Sequence, residues 1–278
     1  MSVAAPLLWG LFATAWAQEL PRELTFRNLT VDDGLSQSHV TAIVQDPTGY
    51  LWFGTSDGLN RFDGLEFEIF RDRRGSDEGL QSNYINDLMV DTSGRLWIAT
   101  RQGVDTFDAV QHRIVGLADL ATGGDPAPRA EGINALAEDS LGNVWIGSAS
   151  PSLFRYEKSS GLLFAVELSE ERGYGCAGEI EALAVNEGGL WLGTDDGLCR
   201  TADLGRSFET FKPGTEPAEP PGGPAAIAGL PAAGINAMTT DGENVLWIGT
   251  DGQGVVRADF AAGAPSWRSY RHASSDPL

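Results

Sequence analysis

The sequence predicts an all-β fold, a β-propeller of four-stranded antiparallel blades, and three observations carry that prediction. A motif recurs five times, marked by Trp52, Trp97, Trp145, Trp191 and Trp247 at spacings of 45, 48, 46 and 56 residues, a period that belongs to propellers and solenoids. The run around each tryptophan is apolar on both faces, so it must be covered on both sides. Turn-forming Asp, Gly and Pro separate these runs at short, regular intervals. A solenoid coil would need parallel stacking and few tight hairpins, whereas antiparallel strands with one member buried on both faces suit radially packed blades. Five blades are visible, expected to be part of a larger ring of about seven.

Residues 1–17 come first and stand apart. They are almost free of polar groups, and Ala15-Trp16-Ala17 before Gln18 has the small-x-small form of a signal-peptidase site. The run is shorter than the ~20 apolar residues that span a bilayer. It is therefore expected to be a cleaved export signal, with residues 18–278 as the propeller and an extracytoplasmic, periplasmic location. Residues 24–29 (LTFRNL) follow and read as an outer strand.

Each copy then decodes as a meander. In the first, residues 40–44 (VTAIV) are β-branched and apolar, the first strand. Asp46-Pro47-Thr48-Gly49 forms a turn, residues 51–55 (LWFGT) the doubly buried second strand, and Ser56-Asp57-Gly58 a tight hairpin. Residues 59–62 make the third strand, and residues 67–70 (FEIF) a more polar outer one. On this pattern the repeats run over about 24–71, 80–115, 130–168, 177–212 and 232–271. Residues 109–132 are not repetitive, and 213–231, rich in Pro, Gly and Ala, read as a plain loop between blades. The tail Ser275-Asp276-Pro277-Leu278 resembles the linker that precedes the second copy, so the chain is expected to be a fragment cut before a sixth blade.

The five tryptophans are expected to wedge between sheets rather than form a sugar-stacking surface. Gly54, Gly147, Gly193 and Gly249, with Ala99 in the second copy, make room for a neighbouring blade. Arg61, Arg155, Arg200 and Arg257 recur on the third strand and are expected to bond loop carbonyls or acids of the adjacent blade. Asp46, Asp91, Asp139 and Asp241 read as turn residues, since no dense alternating-acid loop is present to hold calcium.

Lys+Arg number 19 and Asp+Glu 39, a net charge of −20, a field that repels phosphate backbones and excludes nucleic acid as a partner. Cys176 and Cys199 fall at the same end of one blade. An oxidising compartment permits a disulfide between them; two unpaired buried thiols are the alternative. His39, His112 and His272 lie in unrelated places, and no zinc spacing, G-x-S-x-G elbow or phosphate loop occurs. Neither a catalytic residue, a metal nor a cofactor is expected.

Residues 33–64 (DGLSQSHVTAIVQDPTGYLWFGTSDGLNRFDG), with the D-x-x-G-x-L-W-x-G-T-x-x-G-L core varied through all five copies, resemble the two-component regulator propeller family. The resemblance implies the extracytoplasmic sensor of a receptor, followed by a β-sandwich, a membrane span and a histidine kinase or diguanylate cyclase. Those output domains are not in this sequence, and the full-length receptor is expected to be a homodimer.

Function should lie where the copies disagree. First strands begin and second-to-third hairpins turn at one end of the propeller. Collected there are Ser38, His39, Asn83, Tyr84, Glu131 and Glu179, with Ser56, Asp57, Arg101, Gln102, Asp195, Asp196, Asp251 and Gln253. Of these, His39, Asp57, Tyr84, Arg101, Gln102, Asp195 and Asp251 are the candidate ligand-binding residues. They offer planar donors, acceptors and an aromatic face for a neutral or zwitterionic small molecule or an oligosaccharide. The competing readings are a propeller glycosidase or polysaccharide lyase, and a scaffold that binds another protein.

Overall fold

The computed structural model describes residues 26–72, 79–128, 132–150, 152–168, 176, 178–214, 225–228, 230, 233–242, 244–260 and 266–271. The expected export signal, Glu131 and the tail 275–278 lie outside them. Five sheets follow one another along the chain. The first holds β1 (Val40–Gln45), β2 (Leu51–Thr55), β3 (Gly58–Phe62) and β4 (Phe67–Phe70), and the second β5 (Ile85–Val90), β6 (Leu96–Thr100), β7 (Gly103–Asp108) and β8 (Arg113–Gly116). After α1 (Leu117–Leu120) and β9 (Gly123–Gly124), the third holds β10 (Ile133–Glu138), β11 (Val144–Ser148), β12 (Ser152–Glu157) and β13 (Leu162–Glu167). The fourth holds β14 (Ile180–Asn186), β15 (Gly189–Thr194), β16 (Gly197–Thr201) and β17 (Glu209–Gly214), with β18 (Ala225–Ala228) added outside. The fifth holds β19 (Ile235–Asp241), β20 (Val245–Thr250), β21 (Gly254–Asp259) and β22 (Ser266–Tyr270). Each sheet is an antiparallel meander, and the innermost strands pack side by side in the order β1, β5, β10, β14, β19. This is a β-propeller.

Two expectations about the margins are corrected. Over the described part of 24–29 there is no strand, because no ladder is offered there; Leu29 instead packs onto the Leu35, Phe53 and Phe62 cluster of blade 1. Within 213–231, residues 225–228 are not plain loop but pair in parallel with β17, while β9 does the same with β13 in blade 3. Backbone pairing on an open sheet edge needs no side-chain pattern, so composition concealed both strands.

The repeat chemistry explains the blade. Asp46 in the β1–β2 turn accepts bonds from Thr48 N (2.9 Å) and Tyr50 N (3.1 Å), and its other oxygen takes the Trp52 indole N–H at 2.8 Å. Asp91 and Asp139 take Trp97 and Trp145 in the same way, and Asn186 takes Trp191. The turn aspartates thus also satisfy a buried indole. For Asp46 and Asp91 burial pushes the carboxyl up, and these hydrogen bonds more than reverse it, leaving both below the usual range. Thr55, Thr100 and Thr194 accept from the hairpin backbone and donate to the glycine carbonyl that follows, shaping the β2–β3 turn and its equivalents.

Between blades the contact is a socket. A Cβ on Gly54, Gly147 or Gly193 would sit 2.6, 2.5 or 2.5 Å from Cγ2 of Ile85, Ile180 or Ile235 of the next blade. Trp52 lies against Phe107 at 4.8 Å and Trp97 against Tyr156 at 5.3 Å, so each tryptophan is covered by the blade that follows. Among the described residues nothing follows blade 5 in this way. Trp247 is only half-buried, and the nearest described atoms to a Cβ on Gly249 are those of its own blade's Ala237, at 3.5 Å and beyond. At the other flank Ile43 is 57% exposed, whereas Leu88, at the same position in blade 2, is 5% exposed.

The recurrent arginines lie over their own blade's tryptophans at 5.4 to 5.9 Å. Arg61 and Arg200 pair with Glu68 and Glu209 on the outer strand of the same blade, and Arg257 with Asp259. Among the described residues only Arg155 of the four reaches the adjacent blade, at the Leu204 carbonyl. The expected cross-blade role therefore gives way to one within the sheet, because the register sets Arg61 opposite Glu68 and Arg200 opposite Glu209.

A second recurrent tie joins the segment before the inner strand to the third strand. In blade 1, Ser36 N donates to Asn60 Oδ1 at 2.8 Å; in blade 2, Gln81 N donates to Asp105 Oδ2 at 2.9 Å. In blade 4 the same two positions are Cys176 and Cys199, joined by a disulfide. Asp105 is fully buried, and burial pushes its carboxyl up from 3.8 to about 6 despite the bonds from Gln81. The native carboxyl keeps a proton that the unfolded chain has lost. That contribution is complete below about pH 3.8 and is lost as pH rises through about 6. Asp105→Asn, which copies Asn60, is expected to raise stability at pH 8 by about 1–3 kcal/mol and to change little at pH 4. Urea unfolding at both pH values checks this, and an equal effect at both would exclude titration of Asp105 as the cause.

Candidate functional site

The inner strands begin and the β2–β3-type hairpins turn at one end of the propeller, which forms its mouth. In blades 1, 2, 3 and 5 the hairpin is held to the start of the inner strand by one backbone bond: Ser56 N to His39 O, Arg101 N to Tyr84 O, Ala149 N to Gly132 O, and Asp251 N to Gly234 O. In blade 2 this bond sets two unusual side chains together, with the Arg101 guanidinium 3.6 Å above the centre of the Tyr84 ring. Arg101 and Gln102 are exposed and Tyr84 half-buried, so the stacked pair faces the mouth.

The other candidates divide. Asp57 is already committed: its carboxylate pairs with Arg71 at 3.0 Å and accepts from Asn83 Nδ2 at 3.3 Å, while Gly58 N donates to Asn83 O at 2.7 Å. It fastens the blade 1–2 seam at the rim. Asp195 accepts Glu179 N at 2.9 Å within blade 4. His39 and Asp251 are exposed at the same end. Beyond the backbone bonds above, nothing draws them to Tyr84 and Arg101.

A ring of residues deeper in the mouth carries a signal that the sequence contained. Every inner strand has a register shift at its start, between Val40 and Ala42, Ile85 and Asp87, Ile133 and Ala135, Ile180 and Ala182, and Ile235 and Ala237. The residue inside each shift is polar: Thr41, Asn86, Asn134, Glu181 and Asn236. A bulge of this kind re-aims a side chain, and three of them reach the next blade. Thr41 Oγ1 donates to Ile85 O at 2.8 Å, Asn86 Nδ2 to Ile133 O at 2.8 Å, and Asn134 Nδ2 to Glu181 Oε2 at 3.4 Å. Polar residues at the second position of an otherwise apolar strand were the legible sign.

The electrostatics of the mouth are uneven. Arg101 lies on blade 2, whereas burial, then the carboxylates of Glu179 and Asp195, push Glu181 above the usual range on blade 4. Asp87 replaces the alanine of the other four blades. Its carboxylate accepts Leu136 N of blade 3 at 2.9 Å, and burial pushes it up to about 6. Among the described residues no cluster of three His, Cys, Asp or Glu is arranged to hold a metal, and no helix is long and apolar enough to cross a membrane.

Four segments, 34–57, 79–102, 129–150 and 229–252, match the two component regulator propeller family. Blade 4, whose β14–β15 turn is one residue shorter, falls outside the matched segments. A 47-residue stretch is 57% identical to histidine kinase P4 of Formosa agariphila, covering 17% of this chain and 3% of that protein. Among solved structures, the extracellular domain of a putative one component system from B. thetaiotaomicron superposes with a TM-score of 0.64 at 20% identity, over 88% of this chain and 33% of that one. Virginiamycin B lyase from Staphylococcus aureus, solved as an inactive variant with quinupristin, superposes with a TM-score of 0.62 at 13% identity, over 90% of this chain and 74% of that one. Both are likenesses of fold, and this chain spans a third of that extracellular domain. Four of the five repeats thus match the two component regulator propeller family, and the fold they build is a propeller.

Proposed function

We propose that this chain is the ligand-sensing propeller of a transmembrane signalling receptor, facing the periplasm and without catalysis of its own. The observation that carries the reading is the Arg101–Tyr84 stack, set at the mouth of a regulator propeller where the other blades have unlike residues. A guanidinium held flat on a phenol ring presents its N–H edge and leaves an aromatic margin beside it. That combination suits hydroxyl-rich or carboxylate-bearing ligands, hence an oligosaccharide or a zwitterionic small molecule. The polar bulge residues, Asn86 and Asn134 among them, add amides below. Ligand binding here would reach an output domain elsewhere in the receptor, a histidine kinase or a diguanylate cyclase.

The test is a thermal-shift screen of the chain against sugars, oligosaccharides and amino acids. A compound that raises the midpoint is expected to bind at least tenfold more weakly to Arg101→Ala and Tyr84→Ala, a loss of about 1.4 kcal/mol. Stabilisation that survives both changes removes the mouth as the site.

A glycosidase reading has one observation in its favour: Glu181, pushed above the usual range by burial and then by the neighbouring Glu179 and Asp195, stands in a group of carboxyls, the residue type that supplies the acid and the base of that chemistry. Cleavage of any member of a glycan panel, lost in Glu181→Gln, would establish it.

A further inference from the structure

We propose that the cleft between blades 3 and 4, at the end of the propeller away from the mouth, is a second binding site, built for a small amphipathic cation with an aromatic or branched aliphatic body and an ammonium end. The cleft arises from one departure in the repeat. The residue paired with the position before each tryptophan is Phe62, Phe107, Tyr156, Thr201 and Ala258 in blades 1 to 5. Phe107 and Tyr156 cover Trp52 and Trp97 of the preceding blades, and for Trp191 the role of the missing ring is taken by Phe260 at 4.8 Å. Beside Trp145 that position holds the smaller Thr201; the indole itself is buried, with Phe208 packed against its cluster, and an open cleft of about 890 Å³ lies over this part of the seam. Its size is that of sites for small organic ligands.

The walls decide the class of occupant. Val185 and Leu204 present apolar surface, with Leu190 and Trp145 buried behind them, and Leu141, 70% exposed, stands at the rim. The charged residues of the lining are Glu138, Asp139 and Glu187, with no Lys or Arg. Asp139 is spent on its turn and the Trp145 indole, and Glu138 on Thr92 and Lys158. Glu187 is exposed and makes no ion pair among the described residues, so it is the anchor available to an ammonium group. An anionic ligand would meet uncompensated carboxylate here.

The segment over the cleft is built to hold an apolar side chain in an unfavourable place. Leu204 has φ of 61°, a region where a leucine is an outlier. It is fixed there by Asp203, which accepts from Arg206 N and Ser207 N, and by Thr201 Oγ1, which accepts Gly205 N. Strain of this kind collects at ligand sites.

Titration of the whole chain with phenethylamine, followed by calorimetry, tests the proposal against 2-phenylethanol, phenylacetate and ethylamine. The amine is expected to bind saturably and at least fivefold more tightly than the alcohol, and neither phenylacetate nor ethylamine to saturate. Ala202→Phe, an exposed position whose ring would enter the cleft, should weaken the amine at least tenfold. Leu204→Gly folds at no backbone cost, so it keeps the test valid whatever the first variant does, and should weaken the amine at least threefold. Glu187→Gln should bring amine and alcohol within twofold. Absence of saturable amine binding, phenylacetate binding as tightly as the amine, or an affinity unchanged in Leu204→Gly would each overturn the site.

Discussion

Trp97→Ala is expected to destabilise the propeller by about 3–5 kcal/mol, while Trp247→Ala costs under about 1.5 kcal/mol. Both residues occupy the same place in the repeat, so propensity and local sequence cannot separate them. What differs is the neighbour. The Trp97 indole is 1% exposed, faces Tyr156 of blade 3 at 5.3 Å and donates to Asp91 at 3.0 Å. Removing it leaves a cavity between two sheets and an aspartate without its buried donor. Trp247 is half-buried and its described ring contact is with Tyr270 of its own blade. Truncation there mainly exposes surface already in reach of water. Urea midpoints of the two variants measure the contrast. Equal losses would mean that the indoles stabilise single sheets rather than the joints between them.

The second large effect is the loss of the Cys176–Cys199 bond. The two residues are separated by 23 positions, and Cα atoms 6.0 Å apart suit a disulfide. Closing a loop of that length removes about 3 kcal/mol of unfolded-chain entropy in the chain-entropy account. Both sulfurs are buried, so a thiol reductant should act only as fast as blade 4 opens. Cys176→Ser with Cys199→Ser is expected to lose about 3 kcal/mol. The variant Cys176→Ser with Cys199→Asn copies the pair Ser36 and Asn60 of blade 1, and should recover about 1 kcal/mol through the hydrogen bond it restores. Thermal and urea unfolding of the two double variants check this. Indistinguishable stabilities would show that the positions are not equivalent joints of one repeat.

Much of the fold was legible because one pattern is written five times. A doubly apolar strand, a glycine two residues after its tryptophan and an Asp-containing turn leave few arrangements, and Ile85, Ile180 and Ile235 fill the glycine sockets as that pattern requires. The indole bonds to Asp46, Asp91 and Asp139 were not legible, since each aspartate already had a sufficient role in its turn. The disulfide stayed open for a different reason. Cys176 stands four residues before its inner strand, as Ser36 and Gln81 do, but that position holds a different residue in every blade. At the mouth, the topology brought Tyr84 and Arg101 to one end, and their stacking follows from a single hairpin bond. Asp57 looked equally free, yet Arg71, just beyond the outer strand, claims it. Contacts made across three strands of a sheet leave no periodic trace.

The account rests on recognition at the mouth, and amide hydrogen exchange tests it most directly. The chain is exchanged alone and with the sugar or zwitterion that most raises its thermal midpoint. Slowed exchange is expected at residues 83–87, 100–104 and 178–182, where the inner strands begin and the blade 2 hairpin turns. Slowing confined to β4, β8 and β22, or to the turns at the opposite end around 139–142 and 201–205, would contradict it.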